Sequence, residues 1–359
     1  MSNKNLLSGR DKELQELAEQ YEAAMAENKP FYQDADELAD LADWYGTKKR
    51  YDKAFEIAEY GLKLHPDSTE LMIEYAYLHL DNGKKAKARE IIENLPDTYS
   101  PEAKVVRAHL LLSEGKLDDA EQLLDTIEDK ADLANVVDVS YMYLDMGYPD
   151  KALAWLDPVK EEYSDEEAYI AVVADCLYGK GMTEEAIPLY NRLIDMNPYS
   201  APYWFGLARC HFEEMNFNQA IDACDYALVG DDEFADAYVM KGHCFYQLGN
   251  EDAALEYYQK AEELHGLAPE FIYTYIGLCK VSKGEWKEGY ENLEKAILEN
   301  ETDEIASPIL PSLYANAGLC LSKMGKKRKA HQYCKKAHKL SPEEPESLLI
   351  EGRIYIEEG

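Results

Sequence analysis

Cysteine, histidine and the charged residues are the first places to look for chemistry in this chain. Seven cysteines occur, at Cys176, Cys210, Cys224, Cys244, Cys279, Cys320 and Cys334. The number is odd and none forms a Cys-x-x-Cys pair, so a disulfide framework is not expected. A nucleophilic thiol needs a neighbour that lowers its pKa, and no cysteine is singled out by its sequence surroundings. His331, Cys334 and His338 share one helical face at i, i+3 and i+7 and could offer three metal ligands. The lysines around them disfavour a cation. No His-Glu-x-x-His, Gly-x-Ser-x-Gly or phosphate-cradling glycine loop is present. Neither a catalytic centre, a cofactor site nor a metal site is expected.

Charge is the larger signal. Lys and Arg number 37 against 71 Asp and Glu, a net charge of -34. Such a surface repels nucleic acid and anionic lipid and draws basic partners. One stretch runs the other way. Lys326, Lys327, Arg328, Lys329, Lys335 and Lys336, with Lys323 and Lys339 at its ends, carry no acid between them. That run reads as a docking patch for an acidic partner, as a contact with the acidic body of a second copy, or as a solvated helix face. No apolar run reaches membrane-spanning length and Met1 to Arg10 lacks a signal-peptide core. A cytoplasmic protein with no membrane contact is expected.

The elements that position these residues are repeated. Ala54, Ala88, Ala120, Ala152, Ala186, Ala220, Ala254, Gly289 and Ala330 recur every 32 to 35 residues, with one final step of 41. Five residues before most of them stands a glycine: Gly83, Gly115, Gly147, Gly181, Gly249, Gly284 and Gly325. Lys49 and Met215 take that place in the first and sixth units. Glycine there ends a helix cheaply in a left-handed turn. A second small series precedes the first by twelve residues: Ala42, Ala76, Ala108, Ser140, Ala174, Ala208, Gly242, Gly277 and Gly318. Two small positions per unit, one per helix, let paired helices approach closely. Leu38, Leu41 and Tyr45 show the one-face spacing of the first helix. Pro66, Pro198 and Pro342 close three of the second helices. Cysteine falls in with this register, five times at position 10 and twice at position 24, and so reads as a small buried residue.

The pattern resembles the tetratricopeptide repeat, W-x2-L-G-x2-Y, then A-x3-F, then P. Ala186, Tyr190 and Pro198 give its second half in the fifth unit; Tyr238, Gly242 and Phe245 give its first half in the seventh. The resemblance implies an all-α fold, a right-handed superhelical solenoid of antiparallel helix pairs. The expected organisation is a capping helix over 8–30, nine repeats over 31–342, and over 343–359 the first helix of a tenth repeat or a C-terminal cap. Ser8 with Asp11 offers the first helix a capping box, and Leu14, Leu17, Tyr21 and Met25 its apolar stripe. The extra residues of the 41-residue step are placed near 299–311.

In that family a groove lined by first-helix positions 2, 5, 9 and 12 holds a partner segment. By resemblance, the candidate groove residues are Tyr77, His109, Tyr141, Tyr178, Arg209, Phe212, His243 and Tyr246, with acids such as Asp36, Asp43, Glu70 and Glu102 among them. The position-12 aromatics Tyr178, Phe212 and Tyr246 could equally pack between repeats. Position 5 carries no lysine, so the family's lysine–asparagine clamp for C-terminal carboxylates is not expected. An acidic, aromatic groove suits a protein segment with basic and apolar side chains. The expected function is a non-enzymatic adaptor or scaffold. The alternatives are the substrate-recognition region of a larger enzyme, glycosyltransferase-like, and a self-assembling structural protein.

Overall fold

A computed structural model describes residues 11–264, 269–300, 308–343 and 345–358. Every regular element among them is helical. Ser8 and most of the insertion expected near 299–311 lie outside the described residues.

After a helix at Asp11–Ala26, the chain runs in pairs of helices joined by tight turns. Ala35–Thr47 pairs with Tyr51–Leu64, Thr69–Asp81 with Lys85–Glu93, Pro101–Ser113 with Leu117–Leu124, and Leu133–Asp145 with Pro149–Leu156. Glu167–Gly179 pairs with Thr183–Met196, and Ala201–Glu213 is the first helix of the sixth repeat. These form one compact unit, which ends at Glu214. The second unit begins at Met215. It holds Phe217–Gly230, then the pairs Ala235–Gln247 with Glu251–Glu263, Pro269–Ser282 with Trp286–Asn300, and Leu310–Lys323 with Lys327–Leu340, and last Pro345–Glu358.

The turns obey the register read from the sequence. All seven turn glycines have φ between 69° and 77°, and Lys49 and Met215 hold the same left-handed state at φ 59°. The small residues sit where two helices of a pair cross. Ala42, Ala54, Ala76, Ala88, Ala108, Ala120 and Ala208 are wholly buried. Ser140 Oγ donates to the Ala152 carbonyl at 3.3 Å, joining the two small series of one repeat directly. A Cβ added at Gly277 would lie 2.8 Å from Leu293 Cγ, so glycine there is required by the crossing itself.

Second helices differ in length. They run 8 or 9 residues in the second, third and fourth repeats, against 14 in the first and fifth. In the fourth, Pro158 removes a backbone donor, and the chain continues as a 3-10 turn at Asp157–Val159 and a short helix at Lys160–Tyr163. At the other end of this unit Asp11–Ala26 lays Leu14 and Tyr21 on the first repeat. Tyr21 meets Phe31 edge to face at 5.4 Å and Tyr60 at 5.8 Å. Tyr45 donates to Glu22 at 2.8 Å, tying the two elements from the opposite side. Within the first unit, consecutive first helices touch one another, so their outward-turned side chains form one continuous wall.

Candidate functional site

That wall folds around a cavity of about 480 Å³, built from the first helices of repeats one to four and the loops that lead into them. Position 2 supplies Asp36, Glu70 and Glu102; position 5 supplies Ala39, Ile73 and Val105; position 9 supplies Asp43, Tyr77, His109 and Tyr141. Nine carboxylates line it in all, the others being Asp40, Glu74, Asp97, Asp138 and Asp145, and no lysine or arginine does among the described residues. The repeat spacing of 34, 32 and 32 residues produces this arrangement. It returns the same helical position to the same side of each first helix, so side chains far apart in sequence become neighbours.

Burial sets the electrostatics. Glu74 is 3 % exposed, and its Oε1 has no hydrogen-bonding partner among the described residues. Loss of water, with the Asp43 carboxylate next in weight, raises the Glu74 pKa well above the usual carboxylate range. Asp145 is pushed up to about 6, first by desolvation and then by Asp81 and Asp175. Tyr77 and His109 lie side by side, ring centroids 5.7 Å apart, both nearly buried. Burial lowers His109 to about 4, so the ring is neutral near pH 7, and its Nδ1 has no hydrogen-bonding partner among the described residues. Tyr77 is held protonated by burial, with Asp138 and Glu74 adding to the effect.

Tyr141 closes one end. Its hydroxyl donates to Asp175 Oδ2 at 3.4 Å. Asp175 Oδ1 also accepts from the Tyr190 hydroxyl at 2.6 Å and from Arg209 Nη2 at 2.8 Å. Arg209 stacks over Tyr178, its guanidinium carbon 4.4 Å from the ring centroid. The acidic lining thus gives way to a compensated ion pair.

The structure brings Tyr77, His109 and Tyr141 into one cavity. It places Arg209 and Tyr178 in the internal network just described, and leaves Phe212 half-buried. His243 and Tyr246 belong to the second unit. His243 Nδ1 lies 2.8 Å from the Tyr258 hydroxyl, and its ring meets Tyr275 at 4.5 Å. Tyr246 pairs with Ser282 of the next repeat at 3.2 Å. Glu74, Asp40, Asp138 and Asp145 were missed by reasoning from groove positions. A signal existed: position 6 carries Asp40, Glu74 and Asp138 in three of the first four repeats.

The basic run divides. Lys326, Lys327, Arg328 and Lys335 are exposed. The first three, with Gly325, Lys329 and Gln332, border a shallow bowl on the surface. Lys329 Nζ donates to the Tyr290 hydroxyl at 2.7 Å and lies 3.7 Å from Glu294. Lys336 donates to the Tyr314 hydroxyl at 2.9 Å and sits over that ring. Lys329 thus ties the ninth repeat to the eighth, and Lys336 ties the two helices of the ninth to each other. His331 rests against Tyr355 at 5.1 Å and Cys334 is buried. No group of three ligating side chains suited to a metal ion occurs among the described residues.

Comparison with known proteins agrees with this architecture. Family profiles match three separate stretches: "Tetratricopeptide repeat" at 47–108 and at 311–344, and "Anaphase-promoting complex, cyclosome, subunit 3" at 179–261. The chain is a tetratricopeptide repeat protein, an all-α solenoid of stacked helix pairs. Among solved structures it is similar to the "APC/C hetero-tetramer Cut9-Hcn1", with 18% identity over 97% of this chain and 77% of that one and a TM-score of 0.54. It is similar also to PilF of Pseudomonas aeruginosa, with 15% identity over 63% of this chain and 98% of that one and a TM-score of 0.52. At these identities the likeness is one of fold. No curated protein sequence matches. No described helix is long and apolar enough to cross a membrane.

Proposed function

We propose that this chain is a non-enzymatic scaffold that holds an extended segment of a partner protein, rich in basic and apolar side chains, in the cavity of its first unit. The observation that carries the reading is the lining: nine carboxylates, three nearly buried rings and, among the described residues, no lysine or arginine. Like charges gathered in a recess destabilise one another, and a cationic ligand relieves that repulsion. Ile73, Val105 and Met142 between the acids accept apolar side chains. The volume lies in the range of natural ligand sites.

A fluorescence-anisotropy titration tests this. The full chain is titrated against a labelled capped peptide of alternating lysine and leucine, and against its glutamate–leucine counterpart. Saturable binding of the first, lost in the Asp40→Asn/Asp138→Asn variant, with none of the second, is the expected outcome. Equal binding of both peptides would refute the charge basis of the reading.

A further inference from the structure

Within that acidic recess two carboxylates, Asp43 and Glu74, are buried. Most of the lining carboxylates are at least partly open to water, where solvation tolerates their charge. Glu74 is not. It is buried on the middle of the Thr69–Asp81 helix, borders the cavity, and leaves Oε1 without a hydrogen bond among the described residues. A buried acceptor with nothing to accept from is costly, and more so when charged. A second buried atom without a hydrogen-bonding partner among the described residues borders the same cavity from the next first helix: His109 Nδ1, an acceptor when the ring proton sits on Nε2. Tyr77 borders the same cavity, and its ring and that of His109 offer aromatic surface.

We propose that Glu74 and His109 form the seat for a single arginine side chain of the bound segment. The proposal deepens the function given above and rests on it. A guanidinium presents five N–H donors in a planar fork, so one group can address acceptors carried on two helices. Its flat face stacks on aromatic rings, and its weak hydration eases entry into a dry pocket. A lysine ammonium is a strongly hydrated point charge and meets this pair less well. A metal ion is a poor fit, because no three ligating groups converge here among the described residues. Arginine entry would return to Glu74 the charge partner and the donors that its burial removes, while the surrounding acids steer the segment inward.

A double-mutant cycle on the full chain tests the seat. The probe is a labelled, capped heptapeptide with lysine at both ends, a central arginine, and leucine and alanine between. Two further probes replace that arginine by citrulline, its neutral isostere, or by lysine. Against the wild-type chain, citrulline weakens binding about tenfold or more, as loss of a buried charge-assisted contact should, and lysine falls between. Against Glu74→Gln, an isosteric change that spares packing, the arginine preference shrinks to about twofold or less. Asp36→Asn removes one charge at a more open position and leaves the full preference in place. Circular dichroism melts of both variants confirm that each is folded. If the arginine probe binds wild type and Glu74→Gln with the same preference over citrulline, the seat is wrong and the acidic groove stands. If no cationic probe binds the wild-type chain, both readings fall.

Discussion

His243 shows how a residue chosen for a groove can be claimed by packing instead. Its ring lies between Tyr258 and Tyr275, with Nδ1 against the Tyr258 hydroxyl. Burial lowers its pKa from 6.5 to about 4. The unfolded chain therefore binds a proton that the folded one refuses between those values. The stability tied to this group is complete above pH 6.5, falls as pH drops from 6.5 to about 4, and is level below that. An NMR titration should find the His243 ring neutral at pH 5, where an exposed histidine is charged. A midpoint near 6.5 would show that the tyrosine stack is open. Sequence register alone placed His243 beside Tyr77, His109 and Tyr141, since all four occupy position 9. What it lacked was the neighbours: acids from position 6 surround the first-unit rings, and tyrosines surround the last. Glu74 escaped notice because an acid on an amphipathic helix ordinarily reads as a solvated one, and its depth depends on the helices packed around it.

Between the two helices of a repeat, the turn residue carries a load that can be measured. Gly147 has φ 77° with nothing within 4 Å of where a Cβ would be, so only backbone conformation opposes a side chain there. Gly147→Ala should cost about 1–2 kcal/mol from the left-handed state alone. Lys49 already bears that strain at φ 59°, and Lys49→Gly should gain roughly 0.5–1 kcal/mol after the added flexibility of the unfolded chain is offset. Urea denaturation of the two variants checks both signs; if they change stability in the same direction, the turn does not control it. This level was the most legible in the sequence. Glycine spacing, paired small residues and closing prolines each follow from local sterics, and local sterics repeat with the motif. The broken second helix of the fourth repeat was not foreseen, although Pro158 was there to be read.

Over the whole molecule a net charge of -34 acts at distances no single contact reaches. Screening length shrinks from about 30 Å at 0.01 M salt to about 3 Å at 1 M. Association of the lysine–leucine peptide should therefore slow about tenfold or more between low and high salt, with a smaller change in its dissociation. Stopped-flow traces at several ionic strengths separate the two; an association rate indifferent to salt would mean that the acidic surface does not steer. The acidity was plain from composition, but its concentration in one recess required the repeat to be folded. A different consequence follows from the seven cysteines, each buried. Burial raises the thiols of Cys176, Cys210, Cys244, Cys279 and Cys320 to about 12, so they resist alkylation while their helices stay packed. They lie in successive repeats from the fifth onward, one on each first helix. Timed iodoacetamide labelling, read site by site by mass spectrometry, would make each a clock for the opening of its own repeat. The protein thus carries an internal gauge of which part of the stack breathes first.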